Sequence, residues 1–377
     1  MKTKLIRALA LIFPISLLVL SACGGGSDGV VGPADCEIDQ VDGDLALFNW
    51  SEYIPEEQLE AFGAEYGIGV TIDTYDSNEA MRPIISAGNS GYDVIVPSDY
   101  MVSILINAEK IQKLNMDAIP NASNIMEDFS GLYYDPKGEF SVPYQWGTTG
   151  IAVNTAVVGE DFPRSWGLIF DPEISGQFDG KIQLLNDPRE TMGAALKYLG
   201  YSLNSTSDDE LNEAKELLKA TTGRLAAYDT DASDELITAG ETVIGHGYSG
   251  GFFLQFVESD NFEDYTYFVP EEGGTRWVDN MAIPFDAPSP CTAHTFINWL
   301  LSAEQGAYLT NWVYYDTPNQ AALDLMLADT EGEYEELLDF IKDPSLYAGG
   351  VESLEEIENT GKFEIKYTDA FAEAKGG

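Results

Sequence analysis

The sequence predicts an α/β protein with two lobes, each built on a mostly parallel sheet flanked by helices. Two observations support this class: strand-like segments alternate with helix-like segments, and two long extended segments cross between the halves of the chain. A length of 377 residues is enough for two domains with substantial cores. Because two lobes joined by several crossings enclose a cleft, we expect a ligand to bind between them.

The first half opens with three strand–helix pairs. The predicted strands are residues 44–50, 69–75 and 92–97, and the predicted helices are residues 55–66, 77–87 and 99–109. Polar or aromatic side chains follow each strand directly. Ligands bind outside the carboxyl ends of parallel strands, so we expect these three loops to lie at one end of the sheet.

The second half is bounded by the two extended crossings, residues 142–154 and 277–284. The other predicted elements are strands 182–185 and 242–244 and helices 191–199, 208–220 and 292–304. These crossings predict lobe 1 at residues 43–145 and 277–320, and lobe 2 at residues 146–276 and 321–377.

Residues 1–22 predict a lipoprotein signal peptide. Lys2, Lys4 and Arg7 precede an apolar segment at residues 8–20, and the box Leu-Ser-Ala-Cys ends at Cys23. This pattern implies cleavage before Cys23 and its acylation. Residues 23–42 begin with glycine-rich sequence and predict a flexible tether. The expected location is the periplasm or the outer face of the cytoplasmic membrane, and a plain secreted protein is the alternative.

The formal charge of −45 excludes one class of partner and favours another. Such a surface offers no basic footprint for nucleic acid. Its field raises the local concentration of cations. A solvated acidic coat, as in salt-adapted organisms, is the alternative explanation for most of these residues.

Two cysteines, Cys36 and Cys291, remain once Cys23 is assigned to the lipid. An even pair in an exported protein predicts a disulfide between them, and two separate buried thiols are the alternative.

The sequence does not support a metal or a cofactor. It contains two histidines, His246 and His294, and no HExxH, CxxC or GxxxxGK[ST] pattern. Asp187 and Glu190 are candidates for an acid/base pair. Their spacing equally predicts a helix start, with Asp187 as the cap and Glu190 in the first turn.

Seven motifs occur in order along the chain: FNWSEYIP (48–55), YDSNE (75–79), VPSDY (96–100), VPYQWGTTGIAVN (142–154), NDPRE (186–190), WVDNMAIP (277–284) and YDTPNQAA (315–322). Together they resemble the spermidine/putrescine-binding proteins of bacterial polyamine ABC importers. Their order and spacing extend over residues 45–364. The resemblance implies a type II periplasmic-binding-protein fold that closes on its ligand and delivers it to a permease and its ATPase. It also implies a monomer with no enzymatic activity.

A polyamine needs carboxylates for its ammonium groups and aromatic faces for its methylenes and charges. By motif position, the resemblance implies aromatic walls at Trp50, Tyr53, Tyr100, Trp277 and Tyr315. It implies polar or acidic contacts at Ser51, Glu52, Ser98, Asp187, Glu190, Asp279 and Glu364. Asp279 is the acid expected to hold a central or terminal ammonium.

Two positions depart from the family pattern. His246 falls nearest to the usual tryptophan, where its titration would make affinity rise with pH. Alternatively, His246 faces away and Tyr248 supplies the ring. Glu364 would add negative charge at one end of the ligand and favour a longer polyamine. Trp277 and Tyr100 resemble the spermidine-preferring members, so spermidine is preferred over putrescine in this interpretation.

Three other functions stay open at this point. The same fold could bind another cationic or small polar solute, although a carboxylate-bearing ligand would need an arginine clamp. A lipid-anchored enzyme acting on glycans could use Asp187 or Glu190, which requires two opposed carboxylates. A sensor rather than a permease could recognise the closed form.

Overall fold

The computed structural model describes residues 32–376. The predicted signal peptide, Cys23 and the first part of the predicted tether lie outside the described residues.

Within residues 32–376, nine strands form one sheet in the order β2-β1-β3-β9-β4-β7-β5-β6, and β8 pairs with β4. The strands are β1 Leu45–Trp50, β2 Val70–Tyr75, β3 Val94–Ile95, β4 Ser141–Asn154, β5 Ile182–Leu184, β6 Leu225–Tyr228, β7 Ile244–Tyr248, β8 Tyr265–Phe268 and β9 Thr275–Ala282.

Helices cover the sheet on both sides. The α-helices are α1 Glu56–Tyr66, α2 Asn78–Ala87, α3 Asp99–Asn107, α4 Thr155–Val158, α5 Gly167–Phe170, α6 Pro172–Ser175, α7 Pro188–Tyr198, α8 Asp208–Thr222, α9 Glu235–Thr238, α10 Ser249–Glu258, α11 Pro290–Leu300, α12 Ala303–Val313, α13 Gln320–Leu327, α14 Glu335–Ile341 and α15 Glu364–Gly376. Short 3-10 helices lie at Met116–Ala118, Pro120–Asn124, Glu127–Phe129, Gly176–Phe178, Phe262–Asp264, Pro344–Leu346, Val351–Ser353 and Gly361–Phe363.

Each half of the sheet has a parallel part. Strand β1 pairs in parallel with β2 and β3, and β5 pairs in parallel with β6 and β7. The long strands β4 and β9 join the halves as an antiparallel pair, from Ser141 opposite Ala282 to Thr149 opposite Thr275. The second half of β4 pairs with β7 and β8. The predicted α/β class and the two extended crossings are therefore confirmed.

Two large apolar clusters pack on β1 and β3, one against α11 and the other against α2 and α3. Two more pack on β4, one against β5 and α15 and the other against α10 and β8. The cluster against α2 and α3 also includes Leu203 and Ile357 from the predicted lobe 2. A small fifth cluster joins α12 to α13 and α14, so it crosses the predicted boundary at residue 320. We keep the names lobe 1 and lobe 2 for the two sides.

Strand β7 lies later in the chain than the predicted strand 242–244. It runs through Gly245 and Gly247 because the side chain of Phe252 packs directly on this backbone. A Cβ atom on Gly247 would lie 2.9 Å from the Phe252 ring. These glycines indicate close packing inside a strand. The predicted helix 292–304 is likewise two helices, α11 and α12, separated at Leu301 and Ser302.

The folded body begins earlier than the predicted tether allows. A disulfide joins Cys36 to Cys291 on α11. The Asp42 carboxylate accepts a hydrogen bond from the Thr292 backbone N–H (3.0 Å), and the Thr295 hydroxyl donates to the Gln40 carbonyl (2.7 Å). Residues 36–42 are thus bound to lobe 1, which corrects the prediction of a flexible tether up to residue 42.

The described part of the chain contains no helix long and apolar enough to cross a membrane. It also contains no group of three or more histidine, cysteine or acidic side chains placed to hold a metal ion.

Candidate functional site

A cleft between the two lobes is lined by acidic and aromatic side chains. Its seven carboxyl groups belong to Glu52, Asp99, Asp187, Glu190, Asp231, Asp234 and Asp279, and its seven aromatic rings to Trp50, Tyr53, Tyr75, Tyr100, Tyr248, Trp277 and Tyr315. No lysine, arginine or histidine within residues 32–376 lines it. None of the seven carboxylates forms an ion pair with a described residue.

The carboxyl ends of β1, β2 and β3 fix one wall of the cleft. Trp50 ends β1, and its indole N–H donates to the Val96 carbonyl (2.9 Å). The Tyr75 hydroxyl at the end of β2 donates to the same carbonyl (2.6 Å), and the Trp50 and Tyr75 rings lie 4.7 Å apart. Three neighbouring strands therefore place these two rings together.

Four aromatic rings form a second wall that crosses between the lobes. Ring centroids lie 5.3 Å apart for Tyr53 and Tyr315, 5.1 Å for Trp277 and Tyr315, and 5.9 Å for Tyr248 and Trp277. All three pairs are edge-to-face, the arrangement that aromatic quadrupoles favour. We call Tyr53, Tyr248, Trp277 and Tyr315 the aromatic wall.

Two glycines make room for this wall. A Cβ atom on Gly147 would lie 2.7 Å from the Trp277 ring, and one on Gly250 would lie 2.5 Å from the Tyr315 ring. Both rings therefore lie directly on backbone, at β4 and at the start of α10. Larger residues at either position would push a ring out of place.

Asp279 lies on β9 and is oriented by two successive hydrogen bonds from lobe 1. The Ser98 hydroxyl donates to Asp279 Oδ1 (2.6 Å), and the Asn78 side-chain amide donates to Ser98 Oγ (3.0 Å). Burial raises the pKa of Asp279 to about 7, although the hydrogen bond from Ser98 acts in the opposite direction. Asp279 is thus oriented but has no counter-charge.

The start of α7 brings Asp187 and Glu190 to the lobe 2 side of the cleft. Asp187 caps this helix by accepting from the N–H groups of Arg189 (2.8 Å) and Glu190 (3.0 Å). The Thr275 hydroxyl donates to Glu190 Oε2 (2.8 Å). Burial raises the pKa of Asp187 to about 6; burial and the charge of Asp187 raise that of Glu190 to about 8. Asp187 therefore caps the helix and lines the cleft.

Glu52 from lobe 1 and Asp231 and Asp234 from lobe 2 lie at another part of the cleft. Glu52 has a positive φ of 51°, which is uncommon for a residue other than glycine. Partial burial and the charges of Glu235, Glu258 and Asp231 raise the pKa of Glu52. Burial raises the pKa of Asp234 to about 6.

The structure brings eleven of the thirteen predicted ligand-contact residues into this one cleft. They are Trp50, Ser51, Glu52, Tyr53, Ser98, Tyr100, Asp187, Glu190, Trp277, Asp279 and Tyr315. Most of them follow strands or lie on the β9 crossing. The other two, His246 and Glu364, lie outside it.

Residues 57–336 match the family described as bacterial extracellular solute-binding proteins. The chain belongs to this family. It is 34% identical over 325 residues to a putrescine-binding periplasmic protein of Pseudomonas aeruginosa, covering 83% of this chain and 87% of the relative. It is 35% identical over 283 residues to a spermidine/putrescine-binding periplasmic protein of Escherichia coli, covering 75% and 79%.

Solved structures give the same result for the fold of this solute-binding protein. A putative spermidine/putrescine ABC transporter protein from Listeria monocytogenes superposes with a TM-score of 0.79 at 32% identity, over 89% of this chain and 99% of that one. A lipoprotein of Treponema pallidum superposes with a TM-score of 0.72 at 28% identity, over 88% and 99%. The two-lobed solute-binding fold is thus confirmed.

His246 is a core residue of this solute-binding protein, which corrects the prediction that it contacts ligand. Its side chain is 1% exposed and meets Trp166 edge-to-face at 5.3 Å. It lies within β7, opposite Ile151, whereas Tyr248 lies at the strand's carboxyl end and reaches the cleft. Burial lowers the pKa of His246 to about 3, so the ring is neutral at physiological pH.

The buried position of His246 predicts that it does not titrate between pH 5 and 8. Its ring proton NMR shifts should stay constant over this range, and the pH dependence of ligand binding should be the same in the His246→Gln variant. A titration midpoint for His246 between pH 5.5 and 7.5 would contradict this placement.

Glu364 also lies outside the cleft, because Arg189 binds it. Arg189 Nη1 lies 2.8 Å from Glu364 Oε2, and the Thr360 backbone N–H and hydroxyl donate to Glu364 Oε1 (2.6 and 2.7 Å). The Arg189 side chain is 1% exposed and its guanidinium packs on the Tyr367 ring at 4.4 Å. Arg189 therefore neutralises the charge of Glu364. The prediction that Glu364 favours a longer polyamine is wrong.

Glu364→Gln is expected to lower the free energy of unfolding by roughly 3–5 kcal/mol, because it leaves Arg189 as a buried charge without its partner. Ligand affinity should change less than threefold. Urea unfolding and calorimetric titration of the same samples measure both quantities. A loss of affinity with unchanged stability would restore Glu364 to the binding site.

Several residues of the cleft were not among those predicted to contact ligand. They include Tyr75, Asn78, Asp99, Thr230, Asp231, Ser233, Asp234, Gly251, Leu254, Val313 and Ile357. Tyr75 and Asn78 fall within the quoted YDSNE motif, and Asp99 within VPSDY, so the motifs signalled them. The segment 230–234 follows strand β6. Because β6 was not predicted, nothing in the sequence marked this segment as the end of a strand.

Proposed function

We propose that this solute-binding protein captures a polyamine in the interlobe cleft and delivers it to an ABC importer. The observation that carries the proposal is the lining of the cleft, with seven carboxylates, seven aromatic rings and no basic side chain among residues 32–376. Four of these groups, Asp99, Asp187, Glu190 and Asp279, are buried. Buried carboxylates without a counter-charge require a cationic partner. The names of the curated relatives, which bind putrescine or spermidine, support this ligand class.

Both chemical parts of a polyamine have a counterpart in the cleft. Carboxylates accept charge-assisted hydrogen bonds from ammonium groups, which orient the ligand. Aromatic faces cover the methylene groups and attract the ammonium charges, with about 0.5–2 kcal/mol for each cation–π contact. A ligand with its own carboxylate would find no arginine among the described residues that line the cleft, and Arg189 is bound to Glu364.

We further propose that spermidine is preferred over putrescine. By the charges that act on one another, the carboxyl groups form three groups: Asp187 with Glu190, Asp99 with Asp279, and Glu52 with Asp231 and Asp234. Burial and the charges of Asp187, Glu190 and Asp279 raise the pKa of Tyr248. Burial and the charges of Asp234, Asp279 and Glu52 raise the pKa of Tyr315. Each ring therefore lies near two of the three groups. Three anionic positions separated by aromatic rings fit a ligand with three ammonium groups.

The remaining parts of the proposal concern location and partners. The sequence pattern ending at Cys23 supports a lipid anchor outside the cytoplasm, consistent with a family of extracellular proteins. A permease and an ATPase would receive the ligand from a monomeric, non-enzymatic receptor.

Thermal shifts test the ligand class and the length preference together. A bound ligand stabilises the folded protein by RT ln(1 + [L]/Kd), so at equal concentration the ligand with the lower Kd raises the unfolding midpoint more. We expect the largest shift with spermidine, a smaller one with putrescine, and none with glycine betaine or arginine at equal concentration. A larger shift with glycine betaine would favour a quaternary-amine receptor, and a larger shift with putrescine would overturn the length preference.

A further inference from the structure

Asp234 is an acidic residue of the cleft that no motif signalled. It follows β6 and caps the short helix α9 through one oxygen, because Asp234 Oδ1 accepts from the Glu235 N–H (3.0 Å). No donor among residues 32–376 is hydrogen-bonded to Oδ2. One carboxylate oxygen is therefore free for a ligand.

The position of this free oxygen depends on a glycine of α10. A Cβ atom on Gly251 would lie 2.5 Å from Asp234 Oδ2 and 3.6 Å from the Tyr315 hydroxyl oxygen. The Asp234 carboxylate thus occupies the space that a side chain at position 251 would need. It lies beside Tyr315, one member of the aromatic wall.

Glu52, an exposed acid of lobe 1, is close enough for its charge to act on this carboxylate. Both side chains line the cleft, and the charge of Glu52 adds to burial in raising the pKa of Asp234. Neither carboxylate forms an ion pair with a residue in the described part of the chain. Two like charges brought together from opposite lobes oppose closure unless a cation lies between them.

We propose that Asp234 binds the terminal ammonium at the Glu52 end of the cleft and makes the protein select ligands that are charged at both ends. This inference rests on the proposed function, which it deepens. The charges of Asp187, Glu190 and Asp279 act on Tyr248 of the aromatic wall. Those of Asp234, Asp279 and Glu52 act on Tyr315, so Asp279 is the acid common to both groups. A ligand lacking one terminal charge would leave Glu52 and Asp234 facing each other without a cation.

The alternative is that Asp234 only caps α9. A cap would act on stability, and its loss would affect every ligand alike. Ligand-charge selectivity therefore separates the two roles.

The test compares spermidine with N-butyl-1,3-diaminopropane and N-propyl-1,4-diaminobutane, which each lack one terminal ammonium. Calorimetry should show that Asp234→Asn loses at least fivefold more affinity for spermidine than for one of the two analogues. Glu241→Gln, at an exposed acid of lobe 2 outside the cleft, removes the same charge and should change neither affinity. A loss below fivefold for spermidine, or a similar loss for all three ligands, would overturn the inference.

Moving the carboxylate provides a second test. Asp234→Gly alone should weaken spermidine binding, and adding Gly251→Asp should restore at least part of it, because the two side chains compete for the same space. Circular dichroism and the unfolding midpoint verify that each variant is folded. No recovery in a folded double variant would contradict the inference. If the unsubstituted protein binds none of the three ligands, the proposed function itself is wrong.

Discussion

Asp279→Asn is expected to weaken spermidine binding by roughly 30-fold or more, while the empty protein remains at least as stable as before. Truncating one partner of a buried, hydrogen-bonded charge pair costs about 2–5 kcal/mol of binding free energy. Asp279 forms no ion pair with any residue between 32 and 376, and burial raises its pKa to about 7. Removing this carboxylate therefore removes a desolvated charge from the empty protein and the partner of an ammonium from the complex.

Asp135→Asn is the matched control with the opposite expected pattern. Asp135 is also buried, but its carboxylate accepts from the backbone N–H groups of Glu139 (3.1 Å), Phe140 (2.8 Å) and Ser141 (3.0 Å), away from the cleft. The Asp135→Asn substitution should lower the unfolding midpoint and leave the affinity for spermidine unchanged. Calorimetric titration and thermal unfolding of both variants measure the contrast. If Asp279→Asn lowers stability and spares affinity, Asp279 is structural.

Spermidine affinity is expected to fall by at least 100-fold between pH 8 and pH 5. Burial raises the pKa of Asp187 to about 6, Asp279 to about 7 and Glu190 to about 8. Protonated carboxyls cannot pair with ammonium groups, and the ligand amines, with ordinary pKa values near 10, stay charged over this range. Binding therefore favours the ionised carboxyls and releases protons, so affinity is highest above these pKa values and is lost as pH falls through them.

The contribution of these carboxyls to the stability of the ligand-free protein has the opposite pH dependence: it decreases as the pH rises. A carboxyl whose pKa is raised on folding contributes most below its unfolded pKa of about 4, and this contribution is lost as pH rises through the folded value. The stability advantage of Asp279→Asn over the unsubstituted protein should thus grow from pH 5 to pH 8.

Calorimetry at pH 7 in buffers of different ionisation enthalpy measures the released protons directly. At least half a proton per ligand is expected. An affinity independent of pH together with no proton release would show that these carboxyls do not contact the ligand.

The fold could be predicted because its determinants are local. Short apolar strands followed by amphipathic helices identified β1, β2, α1 and α2 to within one or two residues. Strand β7 was misplaced because glycine usually weakens a strand, whereas here Gly247 admits the Phe252 ring. That reason depends on a tertiary contact, which the sequence pattern does not contain.

The cleft residues could be predicted from motif order, and the exceptions have tertiary causes. The ligand-contact role was assigned to His246, but Tyr248, two residues later in β7, is the residue that lines the cleft. His246 itself packs against Trp166. Glu364 was predicted to contact the ligand. Its actual partner is Arg189, which is far away in sequence, so the sequence pattern did not reveal their ion pair. Asp234 was missed because its approach to Gly251 brings together the segment after β6 and helix α10, which carry no shared motif.

The most direct measurement is calorimetric titration of the soluble body, starting after Cys23, with putrescine, cadaverine, spermidine and spermine at two salt concentrations. We expect one-to-one binding with micromolar or tighter affinity, strongest for spermidine. The affinity should weaken at high salt because long-range attraction is screened. No heat with any of the four polyamines, on a folded sample, would contradict the proposal that this cleft is a polyamine site.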